Sequence, residues 1–299
     1  MMPIQDTQSK QITGSRLARR GGISMRVRLE KILRGGILIL AAVVFLGPFY
    51  WLLISSFKTR EEIFQIPPNM FPFPPTFDNF RDVFHHTMIL RAFLNSCVIA
   101  FGHVALTLFF CSLAGFAFAK YPRAPGNKFL FACVLGTMMI PGAVTTIPVF
   151  IVLTKLKMVN TFWALIIPGS ASAFGIFWMR QSMMSQVPNE LLEAARIDGC
   201  SEFGIYARVV LPISKPVLAA LGILTLIRSW NNLMMAFIVL RTESMYTMPL
   251  MIYMLLGELR TPYGMMMAGG VLITAPLIVA FLLFQRQFIQ GMTAGALKG

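Results

Sequence analysis

The stretch EAARIDGCSEFGIYARVVLPISKP, residues 193–216, is a polar segment between two long apolar runs of the chain. It carries six charged residues, whereas residues 158–179 carry none and residues 216–240 carry only Arg228. Long apolar runs separated by a polar, helix-forming segment are typical of a membrane protein. The stretch therefore predicts a membrane fold in which this segment is a loop outside the lipid.

The composition supports a membrane protein. Of 299 residues, 56% are hydrophobic and 13% are charged, and the mean hydropathy is +0.69. Soluble domains carry about a quarter charged residues. The net charge of +14 does not indicate a nucleic-acid partner, because Lys and Arg are not gathered beside aromatic residues. Four scattered cysteines do not predict a disulfide framework.

The spacing of charged residues predicts the membrane spans, each of which needs about 20 apolar residues. Six runs qualify: 35–57, 92–119, 129–154, 158–179, 216–240 and 261–285. We therefore predict an all-α integral membrane fold with six transmembrane helices over 35–286, between a basic segment 1–34 and a tail 287–299. The first run is too long for a cleaved signal peptide, so we expect it to be retained.

The distribution of Lys and Arg predicts the orientation. Seventeen lie before the first run, in the loops after the second and fourth runs, and in the tail, against eight in the other loops. This asymmetry predicts that both termini and the loop 180–216 are cytoplasmic. The longest outer loop, 58–91, contains IPPNMFPFPPTF (66–77), which favours extended chain. That loop is either a stiff connector or a contact for an extracytoplasmic partner.

Prolines inside the runs predict kinked or broken spans, because proline removes a backbone donor. Bilayers tolerate such breaks where neighbouring helices or water satisfy the freed groups. The prolines are Pro48, Pro141, Pro148, Pro168 and Pro276. Small residues four apart, Ser96 with Ala100 and Gly115 with Ala119, predict close helix contacts.

The polar loop predicts two short helices. Pro188 suits a first helical turn, and NELLEAARI continues with strong helix formers. Gly199 stands where a left-handed cap needs glycine, and Ser201 can cap a second helix, which we expect to end at Leu211-Pro212. We call this pair of helices, residues 188–212, the elbow.

Neither helix is long enough to be stable alone in water, so the elbow needs a surface to pack on. The two candidate faces are Leu191, Ala194 and Ala195 on the first helix and Phe203, Tyr206 and Val210 on the second. They fit either the chain's own helix ends or the lipid headgroups, or a groove on a soluble partner. From the residues alone, these alternatives stay open.

The elbow resembles the cytoplasmic signature of membrane subunits of bacterial ATP-binding-cassette (ABC) importers. Glu193-Ala194-Ala195 is followed after three residues by Gly199, and after eleven more by Leu211-Pro212. The resemblance implies a type I importer permease fold in which the elbow docks into a cleft of the ATPase subunit. The ATPase-coupling residues it implies are Glu193, Ala194, Ala195, Asp198, Gly199, Phe203, Leu211 and Pro212. Cys200, often Ala in such sequences, is a small departure.

The resemblance extends over nearly the whole chain from about residue 35 and is to carbohydrate-uptake permeases. PTFDNFRDVF (75–84) and LNSCVIA (94–100) are similar to the segment that leads into their second span. QGMTAGALKG (290–299) resembles the tail of the smaller permease subunit of maltose importers, which implies that Gly291, Thr293 and Gly295 contact the ATPase.

The resemblance also implies the partners. These are a second homologous permease, two ATPase subunits that bind ATP and Mg, an extracytoplasmic solute-binding protein, and a sugar or oligosaccharide cargo. The location would be the bacterial inner membrane. The sequence itself contains no phosphate-binding G-x-x-x-x-G-K-[ST] loop, zinc-protease motif or nucleophile elbow. We therefore expect a transport subunit that binds no cofactor or metal and is not an enzyme.

Arg228 is the only Lys, Arg, Asp or Glu inside a predicted span, beside Trp230, Asn231 and Asn232. Charges in spans face the bundle interior or a wet cavity. Similar Trp-Asn sequences in related permeases imply that this span lines the substrate pathway. Arg228 either pairs with helix carbonyls or a neighbouring subunit's acid, or binds an acidic cargo through its guanidinium fork.

Three alternatives remain. A secondary transporter would carry ion-coupling acids, and the six runs contain no Asp or Glu. A membrane-embedded enzyme would need a catalytic cluster, which the sequence does not suggest. Within the importer family, the cargo can instead be a polyamine, an amino acid or phosphate.

Overall fold

The structure is a computed structural model that describes residues 6–257 and 262–293, with side chains for residues 30–256 and 262–285. Over these residues it contains helices and no strands, so the all-α prediction is confirmed. The helices are α1 (Asp6–Ser55), α2 (Arg60–Ile63), α3 (Asp78–His86), α4 (Ile89–Lys120), α5 (Asn127–Thr137), α6 (Gly142–Lys155), α7 (Trp163–Ile166), α8 (Ala173–Gln186), α9 (Asn189–Ile197), α10 (Glu202–Ile205), α11 (Leu211–Ile213), α12 (Lys215–Trp230), α13 (Leu233–Val239), α14 (Met248–Met254) and α15 (Tyr263–Thr293).

Among the residues that the structure describes, three helices are long and apolar enough to cross a membrane without a break. They cover Glu30–Ser55 in α1, Ile89–Lys120 in α4 and Tyr263–Gln285 in α15. They coincide with the first, second and sixth predicted runs.

The other predicted runs are interrupted in the structure. The chain bends by 104° between α5 and α6, and by 80° between the segment Glu202–Ile213 and α12. Counting each bent pair as one span gives up to five candidates in the described part of the chain. The fourth run, 158–179, is divided between α7 and α8.

The strength of a proline's effect depends on its neighbour. The helix continues through Pro48, Pro148 and Pro276. It is interrupted beside Pro141 and Pro168. Each of these two is followed by a glycine, Gly142 or Gly169. Proline and glycine are the two weakest helix formers, but adjacency alone does not break a helix here, because Gly47 directly precedes Pro48 inside α1. The two breaks occur where the glycine follows the proline.

α4 is the centre of the bundle and contacts both α8 and α12, while α12 also contacts α15. α4 approaches α8 at Gly115, where a Cβ would lie 2.6 Å from Met179 Cβ and 2.9 Å from the Arg180 backbone nitrogen. Ser96 Oγ accepts a hydrogen bond of 2.9 Å from the Met248 backbone nitrogen. The small residues thus allow close contacts, as predicted.

The loop after α1, predicted to lie outside the cell, is fixed to that helix. Lys58 is fully buried, its Nζ lies 4.3 Å from the centroid of the Trp51 ring, and it donates to the Asn69 carbonyl at 2.5 Å. Tyr50 donates to the Met70 carbonyl at 2.7 Å. The proline-rich part of the loop contains no helix, as predicted, and its backbone is held close to the end of α1.

Candidate functional site

The first helix of the elbow has sharply defined ends. α9 begins after Pro188 and ends in a left-handed Gly199, whose φ is +79°. The Gly199 nitrogen donates to the Arg196 carbonyl, and the Cys200 nitrogen donates to the Ala195 carbonyl, both at 3.0 Å. This pair of bonds is the Schellman motif, which favours glycine at the left-handed position. The predicted glycine cap is confirmed.

The second helix begins as predicted but extends further. Ser201 Oγ accepts a hydrogen bond of 3.2 Å from the Gly204 nitrogen. A π-helical turn follows α10 over Tyr206–Val210, and helix then continues through Leu211 and Pro212. The helix ends at Ile213, and the chain bends by 80° before α12, so the expected end at Leu211-Pro212 is displaced by one residue. Pro212 cannot donate four residues back, and the wider turn before it accommodates the missing bond while the chain stays helical.

One face of the elbow is buried in the bundle. Leu192 and Ala195 of α9 lie in one core cluster with Ile205, Tyr206 and Val210 from the second helix. This cluster also contains Cys111 and Phe116 of α4, and Met179 and Met183 of α8. The inward side of the elbow is thus fixed to two helices of the bundle.

The opposite face is open. Glu193, Ala194 and Asp198 are exposed, and the large apolar side chains of Ile197 and Phe203 are 86% and 63% exposed. Large apolar groups exposed on a small, rigid protrusion are characteristic of an interaction surface. We call these five residues the outer face. Of the two faces considered from the sequence, Tyr206 and Val210 pack inward while Phe203 points outward.

The elbow is linked to the end of α4 by three polar side chains, which we call the clasp: Tyr121, Arg196 and Glu202. The Tyr121 hydroxyl donates to Glu202 Oε2, and Arg196 Nε donates to Glu202 Oε1 at 2.8 Å. The Arg196 guanidinium also lies 6.0 Å from the centroid of the Tyr121 ring. The clasp connects the first elbow helix, the second elbow helix and the residue that caps α4.

The clasp shifts the pKa values of its members in the directions that keep it assembled. The hydrogen bond from Arg196, and then that from Tyr121, lowers the pKa of the Glu202 carboxyl. Partial burial, and then the bond to Glu202, raises the pKa of the Tyr121 phenol. The bond to Glu202 raises the pKa of the Arg196 guanidinium above its ordinary value. The carboxylate is therefore ionised across the neutral range.

Lys120 provides a second link between α4 and the elbow. Its Nζ donates to the Val187 carbonyl at 2.5 Å and to Asn189 Oδ1 at 3.0 Å. A third link is internal, since the Tyr206 and Ser112 hydroxyls are 2.7 Å apart and buried. The sequence did not predict a role for Lys120, Tyr121, Ser112 or Glu202, because their hydrogen bonds join residues that are far apart in the chain.

The residues around Arg228 occupy different environments. Arg228 lies in the last turn of α12 and is exposed, with its guanidinium 6.0 Å from the Phe174 ring centroid. Trp230 is 5% exposed and its indole nitrogen donates to the Ile273 carbonyl at 3.2 Å. Asn231 bonds the Ile227 carbonyl, while Asn232 caps α13 through its side-chain oxygen. In this conformation the indole is enclosed within the chain and is not available for stacking on a ligand.

The predicted ATPase contacts in the tail fall outside the part of the chain whose side chains the structure describes. Gly295 lies outside the described residues, and Gly291 and Thr293 lie in α15 beyond the part with described side chains.

Comparison with known proteins identifies the kind of site. The family of binding-protein-dependent transport system inner membrane components matches residues 111–294, which include the whole elbow. The chain belongs to this family. The protein is thus a permease subunit of a transport system and an inner membrane component, and the importer resemblance is confirmed.

Two curated relatives match nearly the whole permease. The permease protein of the arabinooligosaccharide transport system of Bacillus subtilis is 36% identical over 261 residues, covering 86% of this chain and 92% of the relative. The permease protein of the lactose transport system of Rhizobium radiobacter is 34% identical over 269 residues, covering 90% and 97%.

A solved structure agrees with the fold of the permease. The crystal structure of a bacterial ABC transporter involved in the import of the acidic polysaccharide alginate superposes with a TM-score of 0.75. The match covers 87% of this chain and 97% of that chain at 24% identity. It supports the type I importer permease fold for this protein.

Proposed function

We propose that this permease translocates a sugar or oligosaccharide across the inner membrane as one subunit of an ABC importer. The cargo class rests on the relatives, two of which belong to transport systems named for sugars. The coupling role rests on one observation. The elbow is buried in the bundle on its inward side and presents Glu193, Ala194, Asp198, Ile197 and Phe203 on its outward side.

The complete importer in this proposal has four further proteins. They are a second homologous permease, two ATPase subunits and an extracytoplasmic solute-binding protein, which delivers the sugar cargo. ATP and Mg would bind to the ATPase subunits, since this sequence has no phosphate loop. The family description supports a binding protein as partner. The largely exposed apolar surface of α1, from Ile37 to Phe49, is available to lipid or to the second permease.

In the proposed topology both termini are cytoplasmic and the chain crosses the membrane six times. The six spans are α1, α4, the α5–α6 pair, the α7–α8 pair, the α12–α13 pair and α15. The excess of Lys and Arg in the termini and the elbow loop supports this orientation. The lipid bilayer is then a partner of α1 and α15, in which few residues of the apolar segments are buried within the chain.

The coupling mechanism follows from the two sides of the elbow. Closure of the ATPase subunits would displace the outer face, and the inward core and clasp would pass that displacement to α4 and α8. The bends beside Pro141 and Pro168 are the points where the spans can change direction. The tail residues Gly291, Thr293 and Gly295 are proposed to reach the ATPase subunits as well.

Three of the proposed pathway residues are exposed, Arg228, Asn231 and Asn232, whereas Trp230 is buried. Arg228 would bind a carboxylate outside this chain, either on an acidic cargo or on the second permease. Trp230 and Asn231 bond the backbone in this conformation, and their proposed contribution is to hold this end of α12 in place.

Reconstitution tests the proposal. The permease, its neighbouring gene products and the binding protein are placed in proteoliposomes, and uptake of radiolabelled arabinotriose and lactose is measured with and without internal ATP. ATP-dependent uptake of either sugar supports the proposal. Uptake of spermidine, leucine or phosphate with neither sugar would overturn the cargo class. Transport by this chain without ATPase subunits would overturn the coupling role.

A further inference from the structure

Three breaks in the helices meet at one open cleft of the permease. The first turns of α6 contribute Gly142, Thr145 and Thr146, the bend after α7 contributes Gly169, and the start of α13 contributes Asn232. The cleft has a volume of about 250 Å³. Breaks in three separate segments thus open onto the same space.

The position of the breaks has a physical consequence. Pro141 and Pro168 lie near the middle of the uncharged runs 129–154 and 158–179. Irregular backbone at membrane depth is stable only where it is buried in protein or lines a water-filled cavity. A cleft shared by three breaks supplies that cavity, so we expect it to be wet in the assembled importer.

The side chains of the cleft offer neutral hydrogen-bonding groups. Thr145 and Thr146 both donate their hydroxyl protons to the Gly142 carbonyl, at 2.8 and 3.2 Å. Their oxygen lone pairs stay free to accept. Asn232 caps α13 with its oxygen, 3.4 Å from the Met235 nitrogen, which leaves its amide protons free to donate.

The remaining lining is apolar, including Leu165 and Met235, and none of the lining residues is charged. Sugar rings present hydroxyls at their edges and C–H groups on their faces, and this mixture complements them. Pockets for drug-sized ligands have volumes of roughly 300–1,000 Å³. The cleft, at about 250 Å³, is slightly smaller, so it suits one ring of a longer cargo.

We propose that this cleft is a subsite for a single uncharged sugar ring on the translocation pathway, with Thr145, Thr146 and Asn232 bonding its hydroxyls. The inference rests on the proposed sugar cargo and adds the residues that bind it. Arg228 does not line this cleft. Binding of the neutral sugar ring and binding of a carboxylate by Arg228 are therefore proposed at two different places in the chain.

The test separates the effect of side-chain shape from that of the hydroxyl groups at Thr145 and Thr146, and it measures uptake by the complete importer. The double variant Thr145→Val with Thr146→Val keeps side-chain shape and removes both hydroxyls, whereas Thr145→Ser with Thr146→Ser keeps the hydroxyls. Uptake of arabinotriose and lactose at subsaturating concentration should fall roughly tenfold or more in the Val pair and recover in the Ser pair. Thr154→Val is the matched control, because Thr154 lies on the same helix and bonds the Phe150 carbonyl at 2.8 Å away from the cleft.

A second approach fills the cleft. A Cβ on Gly142 would meet no atom within 4 Å, so Gly142→Leu should assemble normally and block uptake. Asn232→Ser, which keeps a capping oxygen but loses the amide donors, reports on the cleft if the Val pair fails to assemble. Wild-type uptake by both the Val pair and Gly142→Leu would overturn the inference. Uptake of spermidine, leucine or phosphate by the wild-type importer, with uptake of neither sugar, would overturn the proposed function and the inference with it.

Discussion

The hydroxyl oxygens of Tyr206 and Ser112 lie 2.7 Å apart inside the bundle. Ser112 donates its only proton to the Leu108 carbonyl at 2.5 Å, so Tyr206 donates to Ser112. The bond joins the π-helical turn of the elbow to α4 within the same core cluster. It connects the proposed docking element to a transmembrane helix at a point closed to water.

Removing this bond should weaken the elbow without abolishing the fold. Tyr206→Phe leaves the ring in the core and removes one hydrogen bond, which should cost about 1 kcal/mol of stability. A double-mutant cycle with Ser112→Ala, measured by thermal unfolding of the purified permease, should give a coupling energy of similar size. Tyr253→Phe is the control and should be silent, because the Tyr253 ring makes an edge-to-face contact with Phe237 that the change preserves. Additive effects of the two changes would mean that the hydroxyls do not interact.

Gly199 should tolerate only residues that accept a left-handed backbone. A Cβ there meets no atom within 4 Å, so the cost of a side chain comes from the φ of +79° alone. Gly199→Val should raise the number of ATP molecules hydrolysed per sugar imported, because strain of roughly 1–2 kcal/mol displaces the outer face. Gly199→Asn should stay near the wild-type ratio, since Asn visits this region more readily. Equal ratios for Val and Asn would show that the cap geometry does not matter for coupling.

The clasp should resist acid. Because the pKa of Glu202 is lowered in the folded protein, the stabilisation it provides is present above the ordinary carboxyl range. It should be lost only as pH falls through the lowered folded value. Hydrogen exchange of residues 188–213, corrected for intrinsic rates, should therefore show full protection from neutral pH down to about pH 4.3, where free Glu titrates.

Glu202→Gln provides the comparison for the clasp. This variant should exchange faster than the wild type at neutral pH and show no further loss of protection on acidification. Tyr121→Phe should have a smaller effect, because the ion pair with Arg196 remains. If wild type and Glu202→Gln exchange alike at every pH, the clasp contributes nothing to holding the elbow.

Gly115 should be intolerant of even one methyl group. The Arg180 backbone nitrogen lies 2.9 Å from the point where a Cβ on Gly115 would stand, and backbone cannot rotate away as a side chain can. Gly115→Ala should therefore separate α4 from α8 and destabilise the chain by about 1–3 kcal/mol. Gly222→Ala is the control, since its Cβ would make only an ordinary contact of 3.6 Å with Leu108. Equal thermal stability of the two variants would refute the close approach of α4 and α8.

Replacement of Arg228 should leave the isolated permease intact. Arg228 is exposed and forms no salt bridge within the described part of the chain, so Arg228→Gln should unfold at the wild-type temperature. In the full importer, loss of the second permease on co-purification would show that Arg228 pairs with that subunit. Normal assembly with reduced uptake would show contact with cargo. A lower unfolding temperature of the isolated chain would instead reveal a structural role within this subunit.

Local signals predicted the elbow caps well. Gly199 and Ser201 act through bonds to residues within five positions, so residue type and spacing were sufficient. The end of the second helix was predicted to within one residue, since the helix stops at Ile213 directly after Pro212. The π-helical turn at Tyr206–Val210 was not predicted, because residue type and spacing do not show how Tyr206 packs against α4.

Charge spacing predicted spans but not their shape. A run without charges indicates hydrophobicity, and the Pro-Gly pairs at Pro141 and Pro168 interrupt the helix without adding charge. The clasp was also beyond the reach of motif reasoning, because Tyr121 and Glu202 are 81 positions apart. Only the folded chain brings the capping residue of α4 beside the second elbow helix.

The nine-residue helix α9 has a buried side and an exposed side, and these place different constraints on substitution. Leu192 and Ala195 are tied to the permanent interior, whereas Ala194 and Ile197 are free to vary with whatever they meet. In the proposed importer, divergence of the exposed set would change compatibility with a given ATPase subunit while leaving the packing of the permease untouched. A few surface positions would then decide whether two such permeases can share one ATPase.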